Sequence, residues 1–372
     1  MTKHRLETML AQLGNKSDEK TGAVSPPIYL STAYQHQGLG QSTGYDYTRT
    51  KNPTRSLLED GIASLEGGVR GFACSSGMAA IQLVLTLFQP GDELLAPEDL
   101  YGGTYRLFEQ YGKVYRIKTT YHDFADVKEV AKKLTANTKA IFIETPTNPL
   151  MQEIDLEDYA ELAQRNNLLL IVDNTFLTPY LQQPISLGAD IVIHSATKYL
   201  GGHNDVLAGL VVAKDTTIAD QLGEYHNASG ATLSPFDSWL LIRGLKTLSL
   251  RVERHQDNAR VLAEFLRKEP LVTDVLYANK GGMISFRLAD SKWVPLFLES
   301  LDLIIFAESL GGVESFITYP ATQTHADIPK EERERRGICD RLLRFSVGIE
   351  HVEDLKEDLK QAFNQIRAKE RK

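Results

Sequence analysis

The sequence predicts an α/β fold: a mostly parallel sheet covered by helices on both faces, then a smaller α+β part at the C-terminal end. Three observations predict it. The runs Ala140-Ile-Phe-Ile-Glu144, Leu168-Leu-Leu-Ile-Val-Asp173 and Asp190-Ile-Val-Ile-His194 are continuously apolar, without the alternation of a half-solvated strand. Helix-length periodic stretches separate these runs, as connections between parallel strands require. Past about residue 245 the pattern changes to a long helix, short strands and a closing helix, which marks a second unit.

In chain order, residues 1 to about 50 scatter turn residues and aromatics (Pro26-Pro27, Gly38, Gly40, Gly44, Tyr29, Tyr34, Tyr45, Tyr47) without a sustained period. Such a stretch reads as an extended arm that needs a surface to lie on. Its start, Met1 to Leu13, has apolar residues at helical spacing but neither the apolar core nor the cleavage site of a signal peptide. A helix follows Asn52-Pro53-Thr54, uses Leu57, Leu58, Ile62 and Leu65, and stops at Gly67-Gly68. Gly71 to Ala73 reads as a short strand and Gly77 to Phe88 as a helix ended by Pro90-Gly91. Later come a long helix from Leu248 to about Lys268, strands at Gly282–Arg287 and Leu342–Val347, and a helix from Val352 to about Lys369. The expected division is an arm over 1–50, a sheet domain over 51–245 and an α+β domain over 246–372.

Composition narrows the function classes. With 41 Lys+Arg against 49 Asp+Glu the net charge is −8, and hydrophobic residues make up 42% of 372. A nucleic-acid partner needs a basic face, yet Arg333, Arg335 and Arg336 are interleaved with Glu331, Glu332 and Glu334. The longest apolar run, Leu168 to Val172, is far short of the ~20 residues of a membrane span. Two cysteines, Cys74 and Cys339, make neither a disulfide framework nor a cysteine-rich metal site, and His194, His203 and His255 lack a metal-ligand spacing. A cytoplasmic protein without metal, membrane or nucleic-acid partner is the expectation.

Ligands of open parallel sheets collect at the carboxyl ends of the strands, where three singular features fall. Ser195-Ala196-Thr197-Lys198 follows the strand Ile191-Val192-Ile193, and a lysine buried there is expected to have a depressed pKa, which suits an amine that condenses with an aldehyde. Asp173 ends another strand, where it either caps the following turn or neutralises a cation such as a protonated pyridine nitrogen. Ser75-Ser76-Gly77-Met78-Ala79-Ala80 turns a short strand into a helix whose free N–H groups suit a phosphate, with Ser195 and Thr197 as added hydroxyl donors. Lysine, aspartate and anion site together describe a pocket for pyridoxal 5'-phosphate.

With these go Tyr47-Thr-Arg-Thr-Lys-Asn-Pro-Thr54, Asp99-Leu-Tyr-Gly-Gly103, Glu144-Thr-Pro-Thr-Asn-Pro149, Val172-Asp-Asn-Thr-Phe176, Glu308-Ser-Leu-Gly-Gly312 and Arg344-Phe-Ser-Val-Gly-Ile-Glu350. In these motifs the chain resembles the Cys/Met-metabolism family of pyridoxal-phosphate enzymes, the trans-sulfuration enzymes, from about Thr21 to Leu359. The resemblance implies the transferase fold type I and a homotetramer of two dimers. By it, Tyr47 and Arg49 on the arm reach the cofactor phosphate of the neighbouring subunit, and Gly77, Met78, Ser195 and Thr197 hold the phosphate from their own chain. Tyr101, otherwise readable as a core aromatic, would stack on the ring, Asp173 would meet the ring nitrogen and Asn148 would lie near the ring oxygen. Lys198 would carry the aldehyde, and Arg344, with Ser309, would hold the substrate carboxylate.

Glu308 bears on which family reaction is expected. β-Lyases as a group have a tyrosine there, with a tryptophan two residues on, whereas γ-acting members have Glu-Ser-Leu, as here; a dipole partner at a helix start is the other reading of Glu308. Methionine γ-lyases have a cysteine where this chain has Gly103, and the chain is shorter than relatives between Tyr277 and Gly281-Gly282, a departure expected to alter an outer surface. The expectation is γ-replacement on an O-acylhomoserine with cysteine, as in cystathionine γ-synthase, with sulfide as a further acceptor. γ-Elimination of cystathionine is the alternative, and a noncatalytic protein retaining the fold a remote one. A nicotinamide dehydrogenase is disfavoured, because Gly38-Leu-Gly40-Gln-Ser-Thr-Gly44 has the wrong glycine spacing.

Overall fold

A computed structural model describes residues 4–371; residues 1–3 of the expected arm and residue 372 of the expected C-terminal domain lie outside the described residues. The larger sheet contains β1 (Arg70–Cys74), β2 (Glu93–Pro97), β3 (Lys118–His122), β4 (Thr138–Glu144), β5 (Leu169–Asp173), β6 (Ile191–Ser195) and β7 (Gly209–Ala213), in the order β1-β7-β6-β5-β4-β2-β3. From β6 to β3 every neighbouring pair is parallel. β7 is the exception, antiparallel to both β1 and β6. It is admitted there by Gly209, where a Cβ would collide with the Ser76 carbonyl oxygen.

Two-sided burial follows from the continuous apolar runs. Ile171, Ile193 and Val211 pack with Ile81, Val84 and Phe108 on one face, while Leu170 and Val172 pack with Tyr159 and Phe124 on the other. Beneath the strand ends a wholly buried polar cluster replaces apolar contacts. His194 Nε2 and Glu66 Oε1 are 2.7 Å apart, and Asn174 Nδ2 donates to the same oxygen at 3.0 Å.

The expected helix Gly77–Phe88 ends at Leu85. Its last turn tightens, with the Thr86, Leu87 and Phe88 N–H groups donating three residues back rather than four. The helix Pro53–Glu66 is as expected, capped by Asn52 and stopped by Gly67 at φ 77°.

The second sheet contains β8 (Val272–Leu276), β9 (Met283–Leu288), β10 (Ile305–Phe306), β11 (Phe316–Thr318) and β12 (Leu342–Ser346), in the order β10-β11-β12-β9-β8. It is antiparallel except for β10–β11. Its core joins Phe286, Phe345 and Phe297 to Phe363 of the closing helix Val352–Glu370. The long helix Leu248–Arg267 ties the sheets together. Arg251 donates to the Tyr199 carbonyl oxygen at 2.7 Å, and His255 Nδ1 lies 2.7 Å from the Val347 carbonyl oxygen. This helix therefore fixes the segment after β6 against the segment after β12.

The stretch expected as an arm begins docked. Leu6–Ala11 forms a short helix, and Leu10 is wholly buried among Leu58, Ile62 and Leu245, because its apolar residues at helical spacing find the body of their own chain. From about residue 16 to 51 only isolated bridges occur, Ala33 with Tyr47 and Gly38 with Gln41, and Val24, Leu30 and Tyr47 are exposed. The short turn after Tyr277 is not purely an outer surface: it uses Asn279 and Gly281 at positive φ, and Gly281 faces Phe176 and Leu177.

Candidate active site

Each strand of the larger sheet that carried an expected site residue delivers it to one cavity of about 930 Å³, counting its open mouth. Lys198 follows β6, Asp173 ends β5, Glu144 ends β4, and Gly77 and Met78 start the helix after β1. From the second sheet come Arg344 on β12 and the loop carrying Glu308 and Ser309 after β10.

Lys198 is the cavity's amine. Burial, and after it the Arg344 charge, lower its pKa to about 8, opposed by Glu308. Desolvation favours the neutral amine, the form that attacks a carbonyl. Asp173 is its counterpart deep in the cavity. Burial raises its pKa, while the Thr175 hydroxyl and N–H, at 2.5 and 3.0 Å from Oδ1, pull it down. Both Thr175 donors lie on one oxygen, which leaves the other for a cationic partner.

The anion end is built from backbone. Ser76 caps the helix Gly77–Leu85 by accepting from the Ala79 N–H, and the Gly77 and Met78 N–H groups have no acceptor among the described residues. A Cβ on Gly77 would lie 2.9 Å from Ser195 Oγ, so only glycine lets the loop close on Ser195. Thr197 lines the cavity, but its hydroxyl exchanges hydrogen bonds with the Ala208 backbone at 3.0 and 3.2 Å.

Arg344 is 2% exposed, and burial lowers its pKa to about 10, which leaves it charged at neutral pH. It donates to Asn148 Oδ1 at 3.0 Å, to Thr318 Oγ1 at 3.2 Å and to the Ser309 carbonyl oxygen at 3.4 Å, while its Nε has no partner among the described residues. An unsatisfied guanidinium edge in a cavity suits a carboxylate. Tyr101 precedes the helix Gly102–Tyr115, and its N–H donates to Glu144 Oε2 at 3.0 Å. Glu308 is exposed in a loop at the mouth with no helix starting at it, which removes the helix-dipole reading.

Tyr47 and Arg49 are not brought to this cavity. Both are exposed on the arm, and Arg49 donates to the Asn227 carbonyl oxygen at 2.6 Å. Glu144 and Thr175 were not among the expected site residues. A carboxylate ending a continuous apolar strand is the signal that marked Asp173, and it marks Glu144 equally.

The residues fit the expected cofactor: a buried low-pKa amine, a carboxylate with a free oxygen, unpaired N–H groups at a helix start and an aromatic wall at Tyr101 define a pyridoxal-phosphate enzyme on a fold type I scaffold. The comparisons agree. The chain belongs to the Cys/Met metabolism PLP-dependent enzyme family, which it matches over residues 7–364. It is 65% identical over 367 residues to the cystathionine gamma-synthase/O-acetylhomoserine (thiol)-lyase of Bacillus subtilis (strain 168), covering 99% of this chain and 98% of the relative. Identity to the cystathionine gamma-synthase of Haemophilus influenzae is 61%, over 98% of this chain and 99% of the relative. The crystal structure of cystathionine gamma synthase from Xanthomonas oryzae pv. oryzae in complex with aminoacrylate and cysteine superposes with a TM-score of 0.96 at 42% identity, covering 99% of this chain and all of that one.

Proposed function

We propose that this enzyme performs γ-replacement on an O-acylhomoserine, joining its four-carbon skeleton to the sulfur of cysteine to give cystathionine in methionine biosynthesis. Sulfide serves as a further acceptor. The observation that carries the reading is that Lys198 faces one cavity with Arg344 and Glu308, a cation for the amino-acid end and an anion at the mouth. Bound pyridoxal phosphate supplies the electron sink that acidifies the substrate's Cα–H and extends that activation toward Cγ. Arg344 holds the substrate carboxylate with its fork, assisted by the turn at Ser309. Lys198 removes the Cα proton as a neutral amine and carries a proton at Cβ. Asp173 would neutralise the ring nitrogen, Tyr101 would cover the ring face and Asn148 would lie near its oxygen. Glu308 biases how the distal end of the substrate lies. The Cγ–O bond breaks, the acyl group leaves as a carboxylate and a Cγ–S bond forms with the thiolate, so the thiol proton balances the carboxylic acid released.

The arm, residues 16 to about 50, carries Tyr47 and Arg49 to the phosphate of a neighbouring copy within a homotetramer of two dimers. Supporting this, the cavity's only lining cations among the described residues are Lys198 and Arg344, neither at the phosphate end, and the arm exposes Val24 and Leu30. Residues 51–245 form the cofactor domain and 246–372 the C-terminal domain. The cytoplasm is the proposed location; no described helix is long and apolar enough to cross a membrane.

Mass spectrometry of products tests the reaction. The holoenzyme mixed with O-acetylhomoserine and cysteine is expected to make cystathionine, and to leave cystathionine alone largely intact. An inert ester, with rapid conversion of cystathionine to cysteine, 2-oxobutanoate and ammonia, would make it a γ-lyase instead.

A further inference from the structure

The arm's end is fixed by groups outside the cavity. Arg55, in the first turns of the helix Pro53–Glu66, is 1% exposed. Its Nη1 donates to the Thr48 carbonyl oxygen at 2.8 Å and its Nη2 to the Arg49 carbonyl oxygen at 3.1 Å. Its Nε lies 3.3 Å from Glu59 Oε1, one helical turn on. That same oxygen accepts the Ala73 N–H of β1 at 3.0 Å, and β1 runs directly into Ser76-Gly77-Met78. One carboxylate oxygen thus stands between the backbone that carries Arg49 outward and the strand that presents the chain's own phosphate donors. Asn52 completes the clasp: its Nδ2 donates to the Tyr29 carbonyl oxygen at 2.9 Å and to Tyr34 Oη at 3.1 Å, holding the arm's other limb.

Residues 48–51 belong to no strand or helix, so backbone order there has to come from side chains, and a buried guanidinium spanning two consecutive carbonyls supplies it. A buried cation needs a counter-charge. Glu59 is the carboxylate beside it, with 16% of its side chain exposed.

We infer that Arg55 and Glu59 are positioning residues for the cofactor phosphate: Arg55 sets the direction in which Arg49 projects, and Glu59 aims Arg55 while anchoring β1. The two phosphate-binding elements, one serving the chain's own site and one serving a neighbouring copy's, are thereby joined through the Arg55–Glu59 pair. The inference rests on the reading of Arg49 as a phosphate ligand of a neighbouring copy.

Titration of apoenzyme with pyridoxal phosphate, and in parallel with pyridoxal, tests it in wild type, Arg49→Ala, Glu59→Gln, Arg55→Lys and the double variant Arg49→Ala/Glu59→Gln. Burial raises the Glu59 pKa to about 7, so the titrations are run at pH 8, where glutamine keeps an acceptor for the Ala73 N–H but removes the charge that faces Arg55. Arg49→Ala is expected to weaken pyridoxal phosphate binding by about tenfold or more, the effect of one charge-assisted contact. Glu59→Gln and Arg55→Lys are each expected to weaken it by about three- to tenfold, with pyridoxal binding unchanged. In the Arg49→Ala background Glu59→Gln is expected to add nothing, because it acts through Arg49; a general loss of structure would persist there and would weaken pyridoxal equally. An undiminished Glu59→Gln effect in that background, an equal effect on pyridoxal, or no effect at all overturns the inference. If Arg55→Lys fails to fold, Glu59→Gln alone decides. Unchanged pyridoxal phosphate binding by Arg49→Ala overturns instead the reading of the arm, whatever Glu59→Gln does.

Discussion

Glu144 and Asp173 are register partners at the ends of two adjacent parallel strands, and both carboxyls face the same cavity. Two buried carboxylates so placed do not both ionise easily. Burial, and after it the Asp173 charge, push the Glu144 pKa well above the ordinary range. Asp173 receives two donors from Thr175 against the single Tyr101 N–H at Glu144, so the charged form is favoured at Asp173 over Glu144. That suits the ring-nitrogen role proposed for Asp173 and leaves the Glu144 carboxyl to hold the Tyr101 backbone.

Glu144→Gln, which is neutral and keeps a carbonyl acceptor, is therefore expected to retain kcat/KM within about threefold. Glu144→Ala removes the acceptor of the Tyr101 N–H. That hydrogen bond is worth about 1 kcal/mol, so kcat/KM should fall about five- to tenfold. Steady-state kinetics of the two variants check this, and an equal loss in both would mean that the carboxyl acts as a charge.

Lys198 gives the pH dependence. Its folded pKa of about 8 lies below the ordinary 10.5, so the free amine dominates above about pH 8, and below it the reactive fraction drops about tenfold per pH unit. The rate at which apoenzyme captures pyridoxal phosphate should rise with pH and level off above about 8, measured by stopped-flow absorbance. A flat profile between pH 6 and 8 would show that the amine is already neutral there. Lys198→Ala is expected to abolish turnover while keeping the fold and noncovalent cofactor binding.

Much of this site was legible because one-dimensional signals coincide with its physics. Continuous apolar runs become central parallel strands, and the polar residue that ends such a run must sit at a strand terminus; Asp173 and the segment leading to Lys198 were found that way. Glu144 obeys the same rule, but its role is not legible in one dimension, because the carboxylate–carboxylate register between β4 and β5 exists only after pairing. β7 escaped for another reason. Its apolar run is as continuous as its neighbours', and its antiparallel direction goes with a connection, residues 196–208, that is spent on turns rather than on a crossover helix. Arg55 and Glu59 look in sequence like an ordinary i,i+4 surface pair. Their role depends on which carbonyls the folded arm lays over the guanidinium. The docking of Leu10 likewise required knowing that the body offers a groove between Leu58 and Leu245.

Gly103 shows how a position without a side chain can set the site. It lies within the helix Gly102–Tyr115, where glycine is ordinarily unfavourable, so a reason specific to space is needed. A Cβ there would stand 3.0 Å from Tyr101 Cζ and closer still to the adjacent ring carbon, which means that the Tyr101 ring lies directly over the helix's first turn. The ring is the free end of a side chain and can swing aside, whereas the helix gains stability from an added methyl. Gly103→Ala is therefore expected to leave the thermal midpoint unchanged or slightly raised while displacing the ring proposed to cover the cofactor. Loss of a stacking contact of about 1 kcal/mol predicts a five- to tenfold drop in kcat/KM, together with a shifted visible absorbance of the bound cofactor. Calorimetry, absorbance and kinetics on the one variant separate the possibilities: a lowered midpoint would mean that the helix rather than the ring gives way, and unchanged kinetics would mean that the position of Tyr101 does not limit the reaction.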